Sequence, residues 1–577
     1  MTKSSLPRFG KTVLAMGAAA LLLTPAIAGN GNGNGNNGNG RYLIQYTPAN
    51  EQALKNMIED MGGEVVFDYS AVFPGLAADM TPAAKKTLRQ SGLATTIEDD
   101  VIFELHGQAF EDGGIDEISP NAIPAGFPNG AFDEFVPWGR DRVEADRVWS
   151  TMPNLGTADN DVAGSDVRAN PDATGAGVVV GVLDTGIDYG HEDLDANVID
   201  DRANPDGAIR NFVENLPGAE DLTFNGHGTS VASVIASVDN EVGLIGVAPN
   251  AQIRPYRVCD GGCSLAAITG GLVQATIDGV DVINMSFGGS MQQSFYIPAL
   301  NAANREGIVL VASAGNGASQ VVQSPAGVGT VLAVGATDIN DNPASFTNTG
   351  GWVDVTAPGV NNPTATCEGC VITAVVDEIS PTAQSFSANT MTGSPFASGP
   401  GIINVNAEMV DADPVNLGCT PIAADLTGKI ALISRGACSF AAKVGNAEAA
   451  GAAATIIYNS NPGNFNGTLG AFVSAGPALS ISNADGVTLV AEIAGGVTTA
   501  NVDAFRDNSI LYNFISGTSF SSPHVAGIAA LIKEVNPGLS PIEVRKVITQ
   551  TAEDIGHQNI FGAGMARADL AVAAAQE

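Results

Sequence analysis

The stretch Ser516-Gly517-Thr518-Ser519-Phe520-Ser521-Ser522-Pro523-His524-Val525-Ala526-Gly527 opens as a loop of small residues. It closes as the first turns of an apolar helix that runs from Val525 to Val535. Ser519 falls where loop becomes helix, so unpaired backbone N–H groups and the positive end of the helix dipole surround its hydroxyl. Pro523 fits an early helical turn, where its missing N–H costs little. A lone serine at such a place is most often only a helix cap. Two other stretches change that reading. Val178-Val179-Val180-Gly181-Val182-Leu183 is a buried-strand run ending in Asp184-Thr185-Gly186-Ile187-Asp188, and Asn225-Gly226-His227-Gly228-Thr229 opens a second small-residue helix. An Asp, a His and a Ser thus stand at three strand and helix ends, in one of the chain orders known for an orienting acid, a base and a nucleophile.

Composition narrows the class around that constellation. A chain of 577 residues is too long for one ordinary core, and at 45% hydrophobic and 15% charged it is not a disordered one. Its formal net charge of −36 repels phosphate backbones and anionic membrane surfaces, so nucleic acid and membranes are not expected partners. Residues 1–28 read as a Sec-type export signal: Lys3, Arg8 and Lys11, an apolar run from Val13 to Leu23, then Ala26-Ile27-Ala28. That run is too short to span a bilayer, and a secreted protein is expected. Export makes disulfides plausible, and six cysteines allow fifteen connectivities. The preferred pairing joins neighbours: Cys259 with Cys263, Cys367 with Cys370, Cys419 with Cys438. Cys367-Glu368-Gly369-Cys370 is also half the spacing of a zinc site, but it has no local His and no second closely spaced pair.

Residues 29–40 are nearly pure Asn and Gly, a low-complexity tether. From 41 to 106 the periodicity predicts β-α-β-β-α-β: strand Tyr42–Tyr46, helix Glu51–Met61, two strands over Val65–Met80 broken at Pro74-Gly75, helix Pro82–Gln90, and one last strand over Ala94–Leu105. That order suits a small ferredoxin-like α+β unit. Residues 107–133 are acidic and aperiodic, a linker open to cleavage. Strands and helices then alternate through Val331–Gly335, which predicts an α/β fold whose parallel sheet is covered on both faces. Asp184, Ser286 and Asn316 lie at carboxyl ends of its strands, where such sheets hold their chemistry.

The three motifs together resemble the subtilisin-like serine protease family. The resemblance implies a three-layer catalytic domain in two parts, 134–360 and 511–577, interrupted by an insertion at 361–510. Gly428-Lys429-Ile430-Ala431-Leu432-Ile433-Ser434-Arg435-Gly436, Cys438-Ser439-Phe440 and Ala449-Ala450-Gly451-Ala452 make that insertion similar to a protease-associated (PA) domain of α/β type. The 41–106 unit stands where the family carries an inhibitory prodomain, a partner the chain brings with it. The roles implied are Ser519 as nucleophile, His227 as base, Asp184 as its orienter and Asn316 as an oxyanion donor. Ser286-Phe287-Gly288-Gly289 resembles the edge along which substrate backbone pairs and a wall of the primary specificity pocket. Gly288 and Gly315 leave room there, and Gln323, where the family often has Gly, narrows it. A structural Ca2+ is implied as well, held by Glu134, Asp193, the Asn240 side chain and the carbonyls of Val238, Val242 and Leu244.

The function implied is a secreted endopeptidase acting on proteins and peptides, monomeric and made as a self-processing precursor. The competing class is a catalytically silent protein that keeps the fold and binds peptides or glycans through the insertion.

Overall fold

The computed structural model describes residues 39–105, 134–149 and 173–577, less 204–205, 214–217, 222–225, 261, 292–293, 371, 392–402, 464–468, 470–473 and 507–510. The expected export signal, nearly all of the tether, the 107–133 linker and Asn225 lie outside these residues.

Tyr42, Ile44 and Tyr46 point inward along β1 (Gly40–Tyr46). The chain continues through α1 (Glu51–Asp60), β2 (Glu64–Asp68), β3 (Gly75–Met80), α2 (Pro82–Ser91) and β4 (Ala94–Asp99). The sheet order is β2-β3-β1-β4, antiparallel throughout, with Leu54, Ile58, Ala84 and Leu88 of the two helices closing one face. The single strand expected over 94–105 is instead two. Asp99 lies opposite Tyr42, near the start of β1, so beyond Asp100 no partner remains in this sheet. The chain leaves it, and β5 (Ile102–Leu105) pairs elsewhere.

The larger layer begins with α3 (Trp138–Arg142) and β6 (Val179–Asp184). It runs on through α4 (His227–Ala236), β7 (Gln252–Arg257), β8 (Cys263–Ser264), α5 (Leu265–Asp278), β9 (Val282–Met285) and β10 (Phe287–Ser290). Then come α6 (Ile297–Arg305), β11 (Val309–Ser313), β12 (Gln323–Ser324), β13 (Val331–Thr337) and β14 (Val355–Pro358). Six of these strands form a parallel sheet in the order β14-β13-β11-β9-β6-β7.

After β15 (Asn362–Ala365) the chain enters a closed barrel. Its strands are β16 (Ile372–Ser380), β17 (Ser385–Thr390), β18 (Ile403–Asp411), β19 (Ile430–Ser434), β20 (Ala454–Tyr458), β21 (Ala478–Ile481) and β22 (Thr498–Arg506), with α7 (Phe440–Ala449) and α8 (Asn483–Gly495) outside. The return strand β23 (Tyr512–Ile515) pairs antiparallel with β15, so the barrel hangs on a two-stranded stem. The chain then gives α9 (Thr518–Val535) and α10 (Pro541–Thr551).

Successive residues of the parallel strands face opposite layers. Val182 and Val282 pack with α4 and α9, whereas Leu183 and Ile283 pack with α5 and α6. Burial on both faces is why these strands read as continuous apolar runs. The described residues contain three disulfides, Cys259–Cys263, Cys367–Cys370 and Cys419–Cys438, which leaves no zinc pair at Cys367 and Cys370. Among them no helix is long and apolar enough to cross a membrane.

Candidate active site

Asp184 is the last residue of β6 and His227 the first of α4, so one strand end and one helix start face each other. The His227 Nδ1–H lies 2.7 Å from Asp184 Oδ1, which also accepts from the Thr185 N–H at 2.8 Å. Thr185 Oγ1 accepts from the Gly228 N–H at 2.9 Å and donates to Asp221, tying the strand end to the helix start. His227 and Asp184 are buried, and among the described residues His227 Nε2 has no hydrogen-bond partner.

Helix α9 starts at Thr518, earlier than its apolar run suggests, and Ser519 is its second residue. The backbone N–H there has no helical acceptor, which leaves it as a donor beside the hydroxyl. Pro523 sits inside the helix and cannot donate back to Ser519 O. That carbonyl instead accepts the Ser286 hydroxyl at 2.9 Å, and the Ser519 hydroxyl donates to Ser286 O at 2.9 Å. The two serines thus lock the α9 start to the segment between β9 and β10. Asn284 Nδ2 completes the lock by donating to Ser286 Oγ at 2.9 Å. In this state the Ser519 hydroxyl is on Ser286, not on His227.

Asn316 follows β11. Its Oδ1 accepts from Thr518 N at 3.0 Å and Thr518 Oγ1 at 2.8 Å, which fixes the amide plane next to Ser519. Thr518 was not singled out in the sequence, although its place beside Ser519 is the available signal. His524, also in the opening motif, is separate from this group: its Nδ1 donates to Phe520 O at 2.7 Å, and burial holds its pKa well below the ordinary histidine value.

The β10 edge carries a strand already. β5 pairs antiparallel with β10, Leu105 opposite Phe287 and Glu104 opposite Gly288. On its other side β5 pairs with β8, Ile102 opposite Ser264 and Phe103 opposite Cys263. The Phe103 ring is buried against Tyr296, and a Cβ on Gly289 would stand 2.5 Å from it, so only glycine admits the ring. Two carboxylates of the small N-terminal unit cap helices beneath this strand. Glu98 accepts from the Ser294 hydroxyl at 2.8 Å and from Ser294 N and Phe295 N just before α6, and Asp100 accepts from Ala266 N and Ser264 Oγ at the start of α5, both at 3.0 Å. The sequence reading missed these contacts, because capping across domains leaves no local pattern.

The residues predicted to hold calcium come together from three stretches. Phe135 bridges to Leu244, which brings Glu134 to the 238–244 loop, where its Oε1 accepts from Asn240 N at 2.8 Å. Asp193 Oδ2 accepts from Leu244 N at 2.8 Å, and the backbone N–H of Val238 donates to Asp193 O. Asn240 Oδ1 accepts from Val242 N at 3.1 Å. Among the described residues Asp193 Oδ1 is buried with no regular hydrogen bond, its polar neighbour being the Tyr512 hydroxyl. Burial pushes the carboxyls of Asp193 and Glu134 up to about 8 each. An orphaned carboxylate oxygen within a cluster of oxygen donors fits a hard divalent cation. Gln323 pairs with Ser290 across the β12–β10 ladder, and its side chain lies against Gly315.

Comparison with known proteins agrees with this architecture. The family model described as Subtilase family matches residues 175–402, and that described as PA domain matches 405–489. Subtilisin BL of Lederbergia lenta is 37% identical over 228 residues, which cover 39% of this chain and 72% of that protein. An alkaline protease of Alkalihalobacillus alcalophilus is 29% identical over 361 residues, 60% of this chain and 79% of the relative. In fold the chain is similar to the crystal structure of fervidolysin from Fervidobacterium pennivorans, with TM-score 0.54 and 20% identity over 93% of this chain and 61% of that one. The fold and the family match define a serine endopeptidase with an inserted PA domain. The chain belongs to the subtilase family.

Proposed function

We propose that this chain is a secreted endopeptidase that cuts peptide bonds through Ser519, His227 and Asp184, and that it is made as a precursor which processes itself near residue 106. The observation that carries the reading is the 2.7 Å Asp184–His227 pair, whose imidazole lies 5.4 Å, centroid to centroid, from the ring of Phe520 next to Ser519 in α9, with the β10 edge already paired to β5. The Ser519 hydroxyl leaves Ser286 O and gives its proton to His227 Nε2 as Oγ attacks the carbonyl carbon. Asp184 steadies the imidazolium. The oxyanion takes hydrogen bonds from Ser519 N–H and the Asn316 amide. Collapse expels the amine, which receives the proton from His227, and water then repeats the sequence on the acyl-enzyme.

β5 is a strand of the chain's own N-terminal unit laid where substrate would lie, which supports an inhibitory role for residues 41–106. Glu134, Asp193, Asn240 and the carbonyls of Val238, Val242 and Leu244 would hold a structural Ca2+. Bound there, the ion would tie the arm that starts at Glu134 to the catalytic domain. A silent binding protein gains no specific support, since the full set of polar partners around Ser519 is kept. Ser519→Ala made in a protease-deficient host tests the reading. The variant should hydrolyse no peptide and stay unprocessed, and normal processing would overturn self-cleavage.

A further inference from the structure

We infer that Asp221 is a positioning residue for the proposed catalytic pair: one oxygen of its carboxylate clasps the end of β6 to the start of α4 and so fixes His227 against Asp184. The inference rests on the reading of Ser519, His227 and Asp184 as the catalytic groups, and it adds what keeps two of them in register.

Asp221 stands beside the turn that follows β6. Ile187 N in that turn donates to Ala219 O at 3.0 Å, and Asp221 N donates to Ile187 O at 3.1 Å, so the stretch 219–221 runs along it. The Asp221 side chain is buried. Its Oδ2 accepts three donors: the Thr185 hydroxyl at 3.1 Å, the Thr229 hydroxyl at 3.0 Å and Thr229 N at 3.3 Å.

A carboxylate has no proton to give, so it turns each hydroxyl proton toward itself. A lone pair of each hydroxyl is then free to serve the other element. Thr185, on the strand side, accepts from Gly228 N of the helix at 2.9 Å. Thr229, on the helix side, accepts from Asp188 N of the turn at 3.0 Å. The clasp is reciprocal, and Asp221 sets the direction of both halves. It also closes next to the chemistry. Thr185 follows Asp184 and Gly228 follows His227, while Asp184 Oδ1 takes both Thr185 N at 2.8 Å and His227 Nδ1 at 2.7 Å.

The packing around the clasp is tight and dry. A Cβ on Gly228 would stand 2.1 Å from Gly186 O, so the helix start lies directly on the turn backbone. The Sγ atoms of Cys367 and Cys370 lie within 4.8 Å of a carboxylate oxygen of Asp221, and Cys367 packs against Gly226. Their disulfide covers the clasp, and in so sheltered a place a lost hydrogen bond is not made good by bulk water. A displacement of about 1 Å between reacting groups costs on the order of a hundredfold in rate.

The test uses enzyme processed in trans and measures kcat and KM on one peptide, per folded protein recovered by gel filtration. Asp221→Leu keeps the bulk and removes the acceptor. Its kcat should fall about a hundredfold while KM stays within about threefold, because no substrate contact is touched. Asp221→Asn keeps an oxygen to which both hydroxyls can donate, and it should recover about tenfold or more of that loss. Thr185→Val should cost about tenfold in kcat, Thr185→Ser should restore it, and the valine should add less than about threefold to Asp221→Leu, since both act through one clasp. If Asp221→Leu leaves kcat unchanged, or Asp221→Asn falls as far as Asp221→Leu, the inference is overturned and the triad reading stands. Should Asp221→Leu not fold, the Thr185 pair decides, and equal kcat values for valine and serine overturn it. If Ser519→Ala hydrolyses the peptide as the wild type does, both fall.

Discussion

Two small units are attached to the same catalytic sheet in opposite ways. The N-terminal unit is an open four-stranded sheet whose chain runs on past β4 and lends β5 to the cleft, between β10 and β8. It also sends Glu98 and Asp100 to two helix starts and Tyr69 to Ala266 O at 2.9 Å. The insertion is a closed seven-stranded barrel on the β15–β23 stem, with a core of its own that includes Val376, Leu432 and Val502. Closure removes free edges, so the barrel has no strand to lend. The difference separates a unit that pairs a strand onto the β10 edge from one that keeps all its strands in its own barrel.

The largest expected effect breaks the first attachment. Gly289→Val puts methyl groups where the Phe103 ring lies, and overpacking of this kind costs about 3 kcal/mol. Inhibition of processed enzyme by the N-terminal unit added in trans should weaken about a hundredfold, and an unchanged inhibition constant would remove Phe103 from the contact. Asp100→Ala should weaken it less. Losing the acceptor for Ala266 N and Ser264 Oγ at the α5 start costs about 2 kcal/mol, about thirtyfold.

A third prediction concerns pH and the Glu134 arm. Without metal, burial raises the Asp193 carboxyl from 3.8 to about 8 and that of Glu134 from 4.5 to about 8. Folded protein therefore binds protons that unfolded chain has released. This contribution to stability is full below about pH 4 and is lost as pH rises toward 8. In chelator the melting temperature of Ser519→Ala protein, processed in trans, should fall by ~4 °C or more between pH 5 and 9. Excess calcium should flatten the curve, because the cation takes the place of the protons. Identical curves with chelator and calcium would remove the ion. The smallest effect should come from the second unit. Replacing Ile372–Arg506 by a short linker should leave hydrolysis of small peptides within about twofold, since among the described residues the barrel supplies none of the hydrogen-bond partners of Ser519.

The proposed catalytic groups are legible because each sits in a short local pattern: a buried-strand run before Asp184, small residues around His227, a loop-to-helix change at Ser519. The ferredoxin-like order was legible for the same reason, up to Asp100. Beyond that point the apolar residues of Val101–Leu105 look alike whether they close their own sheet or enter another, so the sequence alone runs β5 into β4. Only the register of β4 against the start of β1 decides it. The apolar run points to a helix from Val525, but α9 begins at Thr518, with Ser286 taking the Ser519 carbonyl that Pro523 cannot serve. The sequence places Gln323 in the pocket wall, but its packing against Gly315 and Asn348 depends on how the chain turns after β11, which no local pattern shows.

The most direct test of the account is covalent. Processed enzyme is incubated with a fluorophosphonate, digested, and mapped by mass spectrometry beside His227→Ala protein treated in the same way. The account predicts one adduct, on the peptide that contains Ser519, and its loss in the variant. An adduct on another serine, or an enzyme that cuts peptides while Ser519 stays unmodified, would contradict it.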